Sequence, residues 1–154
     1  MIREIRKDDR EIFIDMVKDF YSSKAVLHDI PCDFINKTYN EVISGSPYAK
    51  AYIIEADHET AGYCLISLTY SNEAGGLVVW VEELYILNKY RGLGLGSEFL
   101  DFIQTEFSGK AKRIRLEISR NNQLVGRLYL RKGYKSLEYL QMVYDIDNLK
   151  QRCL

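Results

Sequence analysis

The chain is short of several things, and each shortage removes a class of protein. It has only two prolines, Pro31 and Pro47, and no stretch rich in Gly, Ser or Pro, so nothing reads as a linker, a repeat or a low-complexity tract. Its three cysteines (Cys32, Cys64, Cys153) are odd in number and none stands in C-x-x-C spacing, which argues against a disulfide framework or a zinc site. The two histidines, His28 and His58, form no metal-ligand pattern, and no metal is expected. There is no basic excess: 21 Lys+Arg stand against 22 Asp+Glu, a net charge of −1 that argues against nucleic acid as a partner. Long apolar runs are missing too. The longest central one, residues 77–81, is far short of the roughly 20 residues a bilayer span needs. The chain turns charged at Arg3, Glu4, Arg6 and Lys7, so neither a signal peptide nor a membrane partner is expected and the setting is read as cytoplasmic.

What is present fits one globular domain over residues 1–154, since 47% hydrophobic residues supply a core without staples. Charge is unevenly spread: residues 1–60 hold 8 Lys+Arg against 12 Asp+Glu, and residues 61–154 hold 13 against 10. A short strand is expected over 1–5. Asp8 with Glu11 then resembles a capping box, and Ile12, Phe13, Met16, Val17 and Phe20 form a helical stripe. A second helix is expected over 31–43, with Pro31 in its first turn and Ser44-Gly45-Ser46-Pro47 closing it. Residues 51–56 and 61–69 read as strands joined by Asp57-His58-Glu59-Thr60. A long strand follows over 77–86. After a glycine-rich loop comes a helix from about Ser97 with Phe99, Leu100, Ile103 and Phe107 inward. A half-buried strand over 113–118, a helix over 122–132 ended by Gly133, and a final strand over 139–146 complete a β-α-α-β-β-β-α-β-α-β order, an α/β pattern.

Chemistry concentrates at Arg91-Gly92-Leu93-Gly94-Leu95-Gly96, set between an apolar strand and an amphipathic helix. A glycine-rich turn at a helix start leaves backbone N–H groups open beside the positive end of the helix dipole, and glycine lets a bulky anion approach. A phosphate or pyrophosphate is the natural guest. The dinucleotide fingerprint fails because its third glycine would fall at Ser97, and the P-loop fails because Gly96 is followed by Ser97-Glu98 rather than Lys. Arg-x-x-Gly-x-Gly (Arg91, Gly94, Gly96) is what stands.

That loop resembles the acetyl-CoA loop of the GNAT N-acetyltransferase superfamily. A second block, Asn121-Asn-Gln-Leu-Val-Gly-Arg-Leu-Tyr-Leu-Arg-Lys-Gly-Tyr134, resembles the family's N-x-x-A-x-x-L-Y-x-K-x-G-F pattern through Asn122, Leu128, Tyr129 and Gly133. Val125 stands for Ala, Arg131 for Lys and Tyr134 for Phe. The resemblance is close over residues 60–145 and only general before them. It implies a central mixed, mostly antiparallel sheet flanked by helices on both faces, acetyl-CoA as cosubstrate, and direct transfer of acetyl to a primary amine on a small molecule or a peptide. It further implies that Leu84, Tyr85 and Ile86 offer backbone groups to the pantetheine arm and that Arg91 through Ser97 hold the pyrophosphate. A homodimer is compatible with this reading.

Asn122, Val125 and Tyr129 share one helix face, and Arg127 and Arg131 share another. Asn122 reads equally as an N-cap or a cofactor contact. Tyr129 reads as a half-buried packing residue or, by family position, as the proton donor to the CoA sulfur. Glu82 and Glu83 adjoin in an apolar strand, where alternation would send them to opposite faces. By resemblance to spermidine/spermine-type acetyltransferases Glu82 is the base, and a carboxylate among apolar neighbours tends to a raised pKa that suits the task. Glu83 is its nearest competitor. Cys64 reads as a small core residue, His58 as an exposed turn residue, and His28, Tyr21, Asp29 and Tyr48 as acceptor-side candidates. Two rival readings stay open: a CoA-binding regulatory module without transfer, and a different nucleotide-binding enzyme.

Overall fold

The computed structural model describes residues 1–23, 26, 28–119 and 122–146. Its strands are β1 (Ile2–Glu4), β2 (Ala49–Ala56), β3 (Glu59–Ser71), β4 (Gly76–Ile86) and β5 (Arg113–Leu116); its helices are α1 (Arg10–Tyr21), α2 (Cys32–Ile43), α3 (Leu95–Glu106) and α4 (Gln123–Arg131). The strands lie in the order β1-β2-β3-β4-β5, antiparallel up to β4 and parallel between β4 and β5. This is the mixed, mostly antiparallel sheet expected from the sequence. No helix among the described residues is long and apolar enough to cross a membrane.

Each face of the sheet has its own core. Phe13, Met16 and Val17 of α1 and Ile35 and Tyr39 of α2 pack on Ala51, Ile53, Tyr63 and Tyr85. On the other face, Phe99 and Ile103 of α3 pack on Tyr52, Cys64, Ile66, Val79 and Val81. Fully buried side chains of this size contribute about 1.5–3 kcal/mol each, so these stripes hold the helices to the sheet. The helix start before α1 lies later than the sequence suggests. A short 3-10 turn (Lys7–Asp9) precedes it, and the Asp9 carboxylate accepts the Arg6 N–H at 2.7 Å while Arg3 grips both its oxygens. The Arg3 guanidinium holds the Asp9 carboxyl below the usual carboxylate range.

Four further expectations need correction. Pro31 is the N-cap of α2 rather than a residue of its first turn. The β2–β3 hairpin turns through Asp57-His58 alone, both at positive φ (50° and 66°), because a two-residue loop of this twist matches the flanking strands. Strand β5 ends at Leu116, two residues early. Residues 139–146 pair with no strand among the described residues, although their alternation reads as one.

Candidate active site

Strand β4 carries the centre of the site, and an irregularity in it decides where its carboxylates go. Leu65 pairs with Glu83 and Ile66 with Val81, so Glu82 is the extra residue of a β-bulge. Val81 and Leu84 both pack on the α3 side. Glu82 and Glu83 therefore both turn to the α1/α2 side, where they line one cavity of about 490 Å³ with Tyr21, Ser67, Thr38 and Glu41. The alternation expected of a regular strand is broken at this step, which is why the adjacent carboxylates share a face.

Their environments differ. Glu82 is exposed, and Ser67 Oγ donates to its Oε1 at 2.5 Å. Glu83 is 8% exposed, and its two oxygens accept from Tyr21 Oη (2.7 Å) and Tyr63 Oη (2.6 Å). The burial expected for Glu82 falls on Glu83 instead. Burial raises the Glu83 carboxyl above its ordinary 4.5, the two tyrosine hydroxyls oppose that rise, and the neighbouring Glu82 adds to it. Tyr63 and Ser67 were not singled out in the sequence. They sit on β3, and only the pairing of β3 with β4 brings them to the carboxylates.

Beyond the bulge β4 loses its neighbour. Strand β5 pairs with Val78 to Val81 only, so among the described residues Glu82 to Ile86 have no strand on that side. Leu84, Tyr85 and Ile86 lie along this open edge, but the Ile86 carbonyl accepts from Arg91 Nε at 2.9 Å. The Arg91 guanidinium also sits 5.6 Å from the Tyr85 ring centroid. Arg91 is thus bound to the strand as well as heading the loop. Tyr85 Oη donates to the Asp19 carboxylate of α1.

The loop itself has the conformation that glycine permits. Gly92 (φ 82°) and Gly94 (φ 85°) are left-handed, a region L side chains rarely adopt. Gly94 is the N-cap of α3 and provides no side chain to cap it. The first intrahelical bond runs from Glu98 N–H to Gly94 O at 3.0 Å, so the N–H groups of Leu95, Gly96 and Ser97 lack an intrahelical acceptor. Leu93 stands exposed at the tip. Gly96 faces Leu128 of α4, whose Cδ2 would lie 3.8 Å from an added Cβ.

Helix α4 lies beside α3, with Lys132 Nζ 2.6 Å from Asp101 Oδ2. Tyr129 is 9% exposed, its hydroxyl pushed up to about 12 by burial first, then by Cys64 and Tyr134. Cys64 is a fully buried member of the α3-side core. Tyr129 therefore comes from the α3 side of the sheet, opposite the face holding Glu82. Asn122 occupies the N-cap position of α4 but makes no capping side-chain bond. Among the acceptor-side candidates Tyr21 joins the cavity, whereas His28 and Asp29 are exposed outside it and Tyr48 is 70% exposed. His58 is an exposed turn residue. Among the described residues no group of three or more His, Cys, Asp or Glu could hold a metal.

Comparison with known proteins places this geometry. The family model of the acetyltransferase (GNAT) domain matches residues 47–136, more than half of the chain. A possible acetyltransferase from Clostridium difficile 630 superimposes with a TM-score of 0.82 at 15% identity, over 96% of this chain and 97% of that one. The aminoglycoside N-acetyltransferase AAC(6')-Iy, solved with the bisubstrate analogue CoA-S-monomethyl-acetylneamine, gives 0.77 at 18% identity, over 94% and 97%. The ribosomal-protein-alanine N-acetyltransferase of Brucella melitensis biovar Abortus 2308 gives 0.75 at 14%, over 95% and 98%. The chain is similar to all three in fold.

Proposed function

We propose, from the premise that this chain belongs to the GNAT acetyltransferase family, that it transfers the acetyl group of acetyl-CoA directly to a primary amine of a small molecule or a peptide. One observation carries the reading: the left-handed Gly92/Gly94 loop and the open N–H groups of Leu95, Gly96 and Ser97 continue from the stretch of β4 that β5 no longer covers. The loop suits a pyrophosphate and the bare strand edge suits an extended amide-bearing arm, which together describe CoA. The similar fold of an aminoglycoside acetyltransferase solved with a CoA-linked analogue supports this choice.

On the other side of the gap the cavity is acidic. Glu41, Glu82 and Glu83 line it, and Lys37, the one cation among its described lining residues, is 2.7 Å from Asp33. Such a wall suits a cationic amine. An alkylammonium must lose a proton before its nitrogen can attack the thioester carbon. Glu82, exposed and held on one oxygen by Ser67, is the proposed acceptor of that proton, directly or through water. As the new C–N bond forms and the C–S bond breaks, the thiolate takes a proton from Tyr129, which its raised pKa keeps protonated at neutrality. Asn122, at the head of α4, is a proposed further contact to the cosubstrate.

Thiol release across a panel of polyamines, aminoglycosides, amino acids and peptides, with calorimetry of CoA binding, tests the proposal. Amine-dependent release of thiol is expected. CoA binding without release under any amine would mark a regulatory module, and binding of NAD or ATP in place of CoA would mark a different enzyme.

A further inference from the structure

Helix α4 ends in a turn that brings a second tyrosine onto Tyr129. Gly133 is left-handed (φ 85°), its N–H donates to the Leu130 carbonyl at 3.0 Å, and the Tyr134 N–H donates to the Tyr129 carbonyl at 3.0 Å. These two bonds make a Schellman closure, which sets the side chains of its first and last residues against each other. The Tyr129 and Tyr134 rings accordingly sit 5.8 Å apart between centroids, tilted by 54°. The backbone thus fixes the pair.

The Tyr134 hydroxyl is buried and has no hydrogen-bond partner among the described residues. Gln104 of α3 lies beside it, but its Nε2 donates to the Lys132 carbonyl at 3.5 Å. A buried donor left unpaired is costly, and native proteins keep few of them. The second block resembles a pattern with Phe at this place, so the hydroxyl is what this chain adds. Both tyrosine hydroxyls lie within electrostatic reach of the Cys64 thiol, so they converge on the same part of the α3-side core.

On the proposed mechanism Tyr129 hands its proton to the departing thiolate, which leaves a tyrosinate in a buried setting. That hydroxyl stands at about 12, whereas a thiol has a pKa of roughly 8.5, so the transfer runs uphill unless the tyrosinate is stabilised. The new anion needs a donor within reach, and Tyr134 holds an unused one. We propose that Tyr134 is a positioning residue for this transfer: its hydroxyl donates a hydrogen bond to the Tyr129 oxygen, directly or through one water, as that oxygen gives its proton to sulfur. The O–H bond of Tyr129 breaks, the S–H bond of CoA forms, and Tyr129 regains a proton from solvent after CoA leaves. Tyr134 keeps its own proton throughout. It acts through Tyr129, so this role rests on the proposed transferase reading.

Steady-state kinetics and thermal melts of Tyr134→Phe, Tyr129→Phe and the double variant test the role. Phe keeps the ring, the turn and the contact with Tyr129, and removes only the oxygen. In Tyr134→Phe kcat should fall about 10-fold, the effect of one hydrogen bond to a charged group, with the KM for acetyl-CoA unchanged. The melting temperature should hold or rise, because an unpaired buried hydroxyl is removed. In the Tyr129→Phe background the same change should have no further effect, since no tyrosinate forms there. Wild-type kcat in Tyr134→Phe overturns the role, and so does a loss of about 10-fold in both backgrounds. A lower melting temperature also overturns it, by revealing a structural bond to the hydroxyl. Wild-type protein that releases no thiol with any amine overturns the transferase reading and this role together.

Discussion

Glu82 and Glu83 are adjacent in β4 yet line the same cavity, because a β-bulge at Glu82 removes the alternation that would have separated them. The pair divides into an exposed carboxylate on Ser67 and a buried one clasped by Tyr21 and Tyr63. On the proposed mechanism Glu82→Gln lowers the transfer rate most at neutral pH and recovers partly at high pH, where free amine is abundant. A pH–rate profile of the variant checks this. If Glu82→Gln keeps the wild-type profile while Glu83→Gln loses activity, the base is the buried residue.

Glu83 also makes a prediction about stability. Its folded-state pKa is raised above 4.5, chiefly by burial, so the folded protein holds the proton more tightly than the unfolded chain. Stability on this account is greatest below the unfolded value and falls as pH rises through 4.5 towards the folded value. Thermal melts across this acidic range should show that decline, and Glu83→Gln should flatten it. An unchanged slope in the variant would assign the pH dependence to other groups.

Tyr129→Phe should cut kcat by about 10²-fold with little change in CoA affinity, because the ring keeps its packing and only the donor is lost. The wild-type hydroxyl, pushed up to about 12, stays protonated well past neutrality. No alkaline loss of its donor role is therefore expected below that range. Steady-state kinetics with calorimetry separates a loss of kcat from a loss of binding.

Arg91→Ala should raise the KM for acetyl-CoA more than the KM for the amine. The side chain heads the loop, but it also ties the loop to the Ile86 carbonyl and lies over Tyr85. Equal effects on both substrates would make Arg91 a structural strut rather than a phosphate contact.

Much of this was legible in the sequence, and what was not has physical causes. The stripe of Phe99, Leu100 and Ile103 announced α3 because one helical face must be apolar to be buried, and all three are 0% exposed. Gly92 and Gly94 announced a loop that a bulky anion can approach, and the structure adds that both are left-handed. The bulge at Glu82 left no trace, since an extra residue in a strand changes pairing without changing composition. Tyr63 and Ser67 joined the carboxylates only through strand register, a long-range property. Residues 139–146 showed a strand pattern, but a pattern names no pairing partner.

The proposed cofactor site can be probed by charge at fixed shape. Gly94→Asn and Gly94→Asp both place a side chain at φ 85°, a region that Asn and Asp tolerate better than other residues. Only the aspartate adds negative charge where a pyrophosphate would sit. Gly94→Asp should abolish CoA binding while Gly94→Asn retains part of it, with both variants folded by circular dichroism. Equal CoA affinity in the aspartate variant and the wild type would sink the loop assignment.

The most direct test of the central claim is thiol release from acetyl-CoA by the wild-type protein, read against a panel of cationic amines with the acetylated product identified by mass. The account predicts release that depends on the amine, matches the product mole for mole, and falls in Glu82→Gln at neutral pH. Absence of release with every amine would contradict it, whether or not calorimetry shows CoA bound.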